Sequence, residues 1–255
     1  MSGIWIAALR RLRPRILLTF VIGNALLALL AAAWLQIPDS HLWQLILSIF
    51  FASAIVGAFL WLQSSTLTHI RHPERPSNPW LSCALVALWL LFFHAWTHII
   101  TLLSTGVEDR ASYWNSRFSA HQRTFFTQPH LAAWQNNIIA ILAWWLIPTL
   151  LLPLLIESIS SGLHHDVLKT ALSTLSRWQL WLSTAVIAWI GIHLTDALVT
   201  WHPSWTVRGE LISATLRLGI ACLVNLFLLC LVIAIASELL SRTRARRDLS
   251  RDTTA

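Results

Sequence analysis

Two ionisable side chains lie inside one long apolar stretch, residues 189–201 (WIGIHLTDALVTW). His193 and Asp196 are three residues apart, so they share one face if the stretch is helical. Asp196 is interpreted as the one carboxylate that lies well inside a membrane span. An ionisable group at membrane depth is costly to bury, so it usually has a partner or a function. This pair is the first candidate for chemistry in the chain.

Other apolar runs carry polar side chains that could meet this pair. Counted along helices that rise 1.5 Å per residue, these side chains and the His193/Asp196 pair fall within roughly 5–14 Å of one membrane boundary. The sequence therefore predicts a single buried polar layer. Its members are His94, His98, Asn136, His193, Asp196 and Arg217.

Three interpretations of the polar layer are open, and two of them need no cofactor. In the first, the histidines and Asn136 form hydrogen bonds between helices, and Asp196 pairs with Arg217 or reaches the membrane surface. In the second, the layer lines a cavity of a small-solute permease. Arg217 then contacts an anionic substrate, and His193 with Asp196 forms a proton-coupled pair.

The third interpretation is a metal or haem protein. His94 and His98 have the i, i+4 spacing that lets two imidazoles reach one ion, and His193 or Asp196 could complete the site. Alternatively, one histidine from each of two helices could ligate a b-type haem. The candidate metal ligands are therefore His94, His98 and His193.

The composition excludes a soluble globular domain. Hydrophobic residues make up 56% of the 255 residues, charged residues only 11%, and the mean hydropathy is +0.63. The net charge of +7 could suggest nucleic-acid binding. However, the basic residues flank the apolar runs, where they orient membrane proteins, so nucleic acid is rejected as a partner.

No conventional catalytic motif is present, which favours a protein that is not an enzyme. The chain contains no Walker loop, GxGxxG, HExxH, GxSxG or CxxC pattern. Cys83, Cys222 and Cys230 lie in or beside apolar runs without metal-ligand spacing, so they are interpreted as small packing residues.

The apolar runs predict an all-α integral membrane protein with six transmembrane helices in one bundle, because about twenty apolar residues cross the hydrocarbon layer. Residues 1–255 are assigned to a single transmembrane domain. The first run is interpreted as a retained span, since it is longer than a signal-peptide core. The spans are about 16–36, 43–63, 80–103, 131–153, 178–200 and 212–240.

Charge counting predicts that both termini are cytoplasmic. Thirteen of the Lys and Arg residues fall on the side of the termini and four on the other side, with one inside the last run. Basic residues are retained on the cytoplasmic side, so an N-in/C-in protein of the bacterial cytoplasmic (inner) membrane, or another endomembrane, is expected.

The connections carry further expectations. Spans one and two should pair closely, since their connection is short and contains Pro38. Residues 63–79 should resist helix formation and stay solvated. The outer loop 104–130 should contain a surface helix at 111–126 that acts as a lid above the polar layer. Two surface segments, 4–13 and 160–177, have the amphipathic pattern of helices lying on the cytoplasmic leaflet.

These features lead to one interpretation of function. The chain is expected to be a polytopic, Trp-rich membrane protein with 16 tryptophans, embedded in the lipid bilayer. No activity can be assigned to it, and we expect a non-catalytic membrane component that acts through helix packing or partner contacts. The partner would be another membrane protein or a second copy of the chain.

Overall fold

The computed structural model describes residues 2–37, 41–72, 78–162, 165–201 and 207–252. All regular structure in these ranges is helical. The elements are α1 (Ser2–Arg11), α2 (Pro14–Trp34), α3 (Leu42–Arg71), α4 (Pro79–Ser104), α5 (Val107–Arg117), α6 (Ala120–Phe125), α7 (Gln128–Ile141), a π-helical segment (Leu142–Leu146), α8 (Ile147–Ser161), α9 (His165–Leu175), α10 (Trp178–Thr200) and α11 (Val207–Asp252).

Six helical segments in the described ranges are long and apolar enough to cross a membrane, which confirms the predicted all-α polytopic fold. They are Pro14–Trp34, Leu42–Arg71, Pro79–Ser104, Gln128–Ser161, Trp178–Thr200 and Ile212–Arg246. The fifth has the predicted bounds, 178–200. The second and fourth extend well beyond their predicted ends.

The extension of α3 corrects the expectation of a solvated loop from residue 63. The helix continues to Arg71, and the hydroxyls of Thr66 and Thr68 donate to carbonyls one turn earlier, each at 2.8 Å. Leu67 and Ile70 are buried in the same turns. Burial of this face stabilises a helix that the polar composition did not suggest. Residues 73–77, which include two of the prolines, lie outside the described residues.

Pro148 and Pro153 in the second half of the fourth span predict a kink there, and the helix is irregular at this point. The π-helical segment Leu142–Leu146 lies immediately before α8, whose second residue is Pro148. Proline has no N–H to donate to the preceding turn, and a π-helical turn is one way to accommodate the lost bond.

The chain divides into two compact units. Unit 1 comprises Met1–Ala87 and Leu152–Ala255, and unit 2 comprises Leu88–Leu151.

The core of unit 1 surrounds the second half of α11. Ile235, Leu239 and Leu240 are fully buried there, together with Ile156 of α8 and Leu180 of α10. Helices α1, α9 and α10 all pack on α11. The last helix is therefore the element around which unit 1 is built.

Helices α2 and α3 pack against each other, as the short connection between the first two spans predicts. The amide of Gln63 donates to Asn24 Oδ1 at 2.9 Å, and the indole N–H of Trp34 donates to Ser48 Oγ at 2.8 Å. A Cβ on Gly23 would lie 2.7 Å from a methyl carbon of Leu62, so glycine allows the close approach.

The two amphipathic segments form α1 and α9, and both are docked on protein rather than only on lipid. On α1, Ile4 and Ala8 are buried, as is Leu12 directly after the helix, while Ile6 and Leu9 are exposed. Helix α9 follows the same pattern, with Val167, Ala171 and Thr174 buried and Leu168 and Leu172 exposed. Each helix thus keeps an apolar side available to the membrane surface.

In unit 2, helix α5 packs on α7. The predicted surface helix 111–126 is wrong in one respect, because it is broken into α5 and α6. Phe118 is extended at the break, and Ser119 begins α6 in a capping box with Gln122. The rings of Phe118 and Phe126 then lie 5.4 Å apart. Whether this segment covers a site stays a prediction.

Candidate functional site

An arginine–glutamate network joins four helices at one end of unit 1. Arg11 and Arg71 are the last residues of α1 and α3, Glu157 lies on α8, and the remaining members lie on α11. The members of the arginine–glutamate network are Arg11, Arg71, Glu157, Glu238, Arg242 and Arg244.

The centre of the network is a buried ion pair. The side chains of Arg71 and Glu157 are 1% and 3% exposed. Nε and Nη2 of Arg71 donate to Glu157 Oε2 at 3.1 and 2.9 Å, and Arg244 approaches Glu157 Oε1 at 3.7 Å. Both oxygens of this carboxylate therefore face arginine.

The backbone and hydroxyls of α11 complete the surroundings of Arg71. Its Nη1 donates to the Ser237 carbonyl at 2.9 Å and to Ser241 Oγ at 2.6 Å. Four of the five N–H groups of this guanidinium thus meet protein acceptors. Ser241 Oγ also accepts from Arg11 at 2.9 Å and donates to the Ser237 carbonyl at 2.9 Å.

A second ion-pair layer lies closer to solvent. Arg11 Nε donates to Glu238 Oε2 at 2.9 Å, and Arg242 Nε donates to Glu238 Oε1 at 2.8 Å. The side chains of Arg11 and Glu238 are 24% and 14% exposed. This layer holds α1 on α11, while the buried pair joins α3 to α8. The arrangement fixes helix ends, because its donors and acceptors are directed at one another.

The network was not found from the sequence. The solvated loop predicted at 63–79 includes Arg71. The predicted last span, 212–240, includes Glu238, so Asp196 is not the one carboxylate within a span. The sequence does not predict a function for Glu157. A usable signal was present: both glutamates lie at the arginine-rich ends of apolar runs, where a carboxylate needs a cationic partner.

Three of the predicted polar-layer residues belong to unit 1. His193 and Asp196 are both exposed on α10, and the ring of His193 lies 4.5 Å from that of Trp189. Arg217 donates to the Leu198 carbonyl at 3.4 Å, and its guanidinium lies 5.8 Å from the Trp201 ring.

No ion pair joins Asp196 to Arg217 in the described part of the chain, so the first of the two alternatives given for Asp196 is not formed there. The reason is that α10 presents its backbone and Trp201 to this arginine instead of the carboxylate. Asp196 lies only four residues before the end of α10, so reaching the membrane surface remains open to it.

The other three residues belong to unit 2. His94 and His98 are brought together on α4, with their Nε2 atoms 3.2 Å apart. Asn136 is exposed on α7, and its side chain makes no hydrogen bond to another described residue. The histidine contact thus lies within one helix rather than between helices. Convergence of all six residues into one layer stays a prediction.

The described residues that could bind a metal ion are not gathered into a complete site. Among the residues that the structure describes, no group of three or more His, Cys, Asp or Glu side chains could hold a metal ion. The His94/His98 pair offers two imidazole nitrogens. No third ligand for this pair is in place among the described residues.

Comparisons with known proteins do not assign a family. No protein-family model, curated protein or solved structure matches this chain. Its function must be inferred from the residues and their geometry.

The buried pair should show strong non-additivity. Arg71→Leu or Glu157→Leu alone should each lower the free energy of unfolding by about 3–5 kcal/mol, because each leaves a buried charge unpaired. The double variant should recover most of that loss. Thermal or denaturant unfolding in detergent measures the cycle, and additive losses would contradict the pairing.

Two serines one turn apart on α11 provide a matched comparison. Ser241→Ala should cost about 1–2 kcal/mol, because it removes the acceptor shared by two arginines. Ser237→Ala should be neutral or slightly stabilising, since the buried Ser237 hydroxyl has no hydrogen-bond partner among the described residues. Equal losses in unfolding experiments would show that the bridging hydroxyl has no special role.

Proposed function

We propose that this chain is a non-catalytic component of the bacterial cytoplasmic membrane that acts through helix packing or contacts with a partner. The partner is another membrane protein or a second copy of the chain. The observation that supports this proposal best is the arginine–glutamate network, whose charged groups are directed at one another. A site that binds and releases a substrate needs donors or acceptors that a ligand can reach.

The titratable residues outside the network also favour contacts over catalysis. His193 and Asp196 are exposed on α10, and His94 and His98 on α4. An exposed polar side chain on an apolar helix meets lipid headgroups, or the polar side chain of a partner helix, at modest energetic cost near the membrane surface.

Both termini of the proposed protein are cytoplasmic. The contact between Arg11 of α1 and Glu238 of α11 agrees with two terminal helices on one side of the membrane. An even number of spans requires the same. The excess of arginine near both ends then favours the cytoplasm as that side.

Reporter fusions test this orientation. A reporter that is active only outside the cytoplasm should be inactive after residue 255 and active after Ala120, since residues 242–251 carry five arginines and the longer loop 104–130 only three. A cytoplasmic reporter at the same two positions should give the opposite pattern. An active external reporter at the carboxyl end would overturn the proposed topology.

A variant with amide side chains tests whether the exposed His and Asp residues act by hydrogen bonding to a partner or by proton transfer and metal binding. His94→Gln, His98→Gln, His193→Gln and Asp196→Asn together keep hydrogen-bonding capacity but remove proton transfer and strong metal ligation. We expect this variant to reach wild-type abundance and to complement a deletion strain under the condition that exposes its growth defect. Arg71→Leu should instead lose abundance.

Normal abundance with lost complementation of the amide variant would refute the contact proposal. It would favour a permease that uses His193, Asp196 and Arg217, or a metal protein. Uptake assays on the Asp196→Asn variant would then separate the two.

One observation favours a metal ion as a second candidate function. Two imidazole ligands of a single zinc ion, each at about 2.0–2.1 Å, lie about 3.3–3.4 Å apart in a tetrahedral site. The Nε2 atoms of His94 and His98 lie 3.2 Å apart. Elemental analysis of purified protein, with an absorption spectrum for haem, tests this candidate, and loss of the ion in the amide variant would assign it to these residues.

A further inference from the structure

A cavity outside the arginine–glutamate network lies where α9 ends, α10 begins and the last part of α11 passes. Its volume is about 580 Å³, and it is open to the surface. Arg177, Gln179, Ser176 and Arg246 are among its lining residues, and no carboxylate among the described side chains lines it.

The charge of this cavity is unbalanced. Neither Arg177 nor Arg246 has an ion pair with a described residue, whereas nearby Arg242 is paired with Glu238. Burial, followed by the positive charges of Arg246 and Arg242, lowers the pKa of the Arg177 guanidinium below its ordinary value. Two like charges are thus held near one opening, and an anion placed between them would relieve their repulsion.

The hydrogen-bonding groups of the cavity also favour an anion. The hydroxyls of Ser176 and Thr243 donate to backbone carbonyls at 2.9 and 2.8 Å, so they are not the donors for a ligand. The two guanidinium groups and the Gln179 amide remain as donors. The cavity also meets the first turn of the 23-residue helix α10, whose leading N–H groups favour negative charge.

The position of the cavity corresponds to the headgroup region of a bilayer. Arg177 immediately precedes the apolar helix α10, and Trp178 is exposed at its first position. The indole N–H of Trp181 donates to the Leu175 carbonyl at 2.8 Å. Tryptophans that flank an apolar helix favour the membrane interface, where lipid phosphates lie.

We propose that this cavity binds a phosphate group between Arg177 and Arg246. The phosphate belongs either to an anionic lipid headgroup or to a soluble phosphate compound, because both present the same oxygen acceptors to the guanidinium groups. The site is independent of the contact function proposed above, and it gives the chain a specific ligand class.

Binding of fluorescent phosphatidylglycerol to the full-length protein in neutral detergent at near-physiological salt tests the proposal. Arg177→Gln combined with Arg246→Gln should weaken binding by at least about tenfold, since both charge-assisted contacts are lost. Ser176→Trp should weaken it similarly by filling the cavity without changing charge. Diacylglycerol with the same chains, which lacks phosphate, should not compete.

A charge-matched control separates a built site from a generally basic surface. Arg10→Gln combined with Arg13→Gln removes the same charge from exposed positions of unit 1 outside the cavity. This control should bind phosphatidylglycerol like wild type. Equal weakening in the control, or wild-type binding by both cavity variants, would overturn the proposal.

Inorganic phosphate identifies the source of the ligand. If millimolar phosphate displaces the fluorescent lipid from wild-type protein, the phosphate group alone is recognised and a soluble compound can occupy the cavity. If only phosphorylated lipid competes, the site is a lipid headgroup site. Both outcomes require that the cavity variants lose binding and that their thermal unfolding matches wild type.

Discussion

The burial of Arg71 is the constraint on which the end of unit 1 depends. A guanidinium withdrawn from water loses its hydration, and only an opposite charge with several hydrogen-bond acceptors can offset that loss. Glu157 supplies the charge, while the Ser237 carbonyl and Ser241 hydroxyl supply the acceptors. The ends of α3 and α8 must therefore meet α11 at Ser237 and Ser241, and the geometry tolerates little displacement.

The network explains why α11 organises the unit. The buried side of α11, with Ile235 and Leu239, packs against neighbouring helices. In the same part of the helix, Glu238 accepts from Arg11 and Ser241 accepts from Arg71. Apolar packing within a membrane supplies little orientation specificity, because lipid tails are as apolar as the helices themselves. Directed ion pairs at the helix ends supply that specificity.

Arginine is used in two different ways at this end of unit 1. In the network, each glutamate faces two arginines, so both carboxylates are neutralised within the protein. In the cavity, no carboxylate from the described side chains lies beside Arg177 and Arg246, and their charge is left for an external anion. The first arrangement holds helices together, and the second creates a surface that recognises phosphate. Whether an arginine belongs to the first or the second arrangement depends on whether a carboxylate lies beside it.

The sequence by itself determined that this protein lies in a lipid bilayer and how many times it crosses it. The length of an apolar run is set by the thickness of the bilayer, so the runs can be counted without knowing how the helices pack. The sequence predicts both ends of α10 correctly. Pro148 predicts that the fourth span is irregular. Only the tertiary structure decided which charges meet: Arg71 and Glu157 are 86 residues apart in the chain. Pairing across such a distance depends on how helices pack, which neither periodicity nor charge counting encodes. For the same reason the sequence leaves the partner of Arg217 open, and the structure places this arginine against the Leu198 carbonyl and the Trp201 ring.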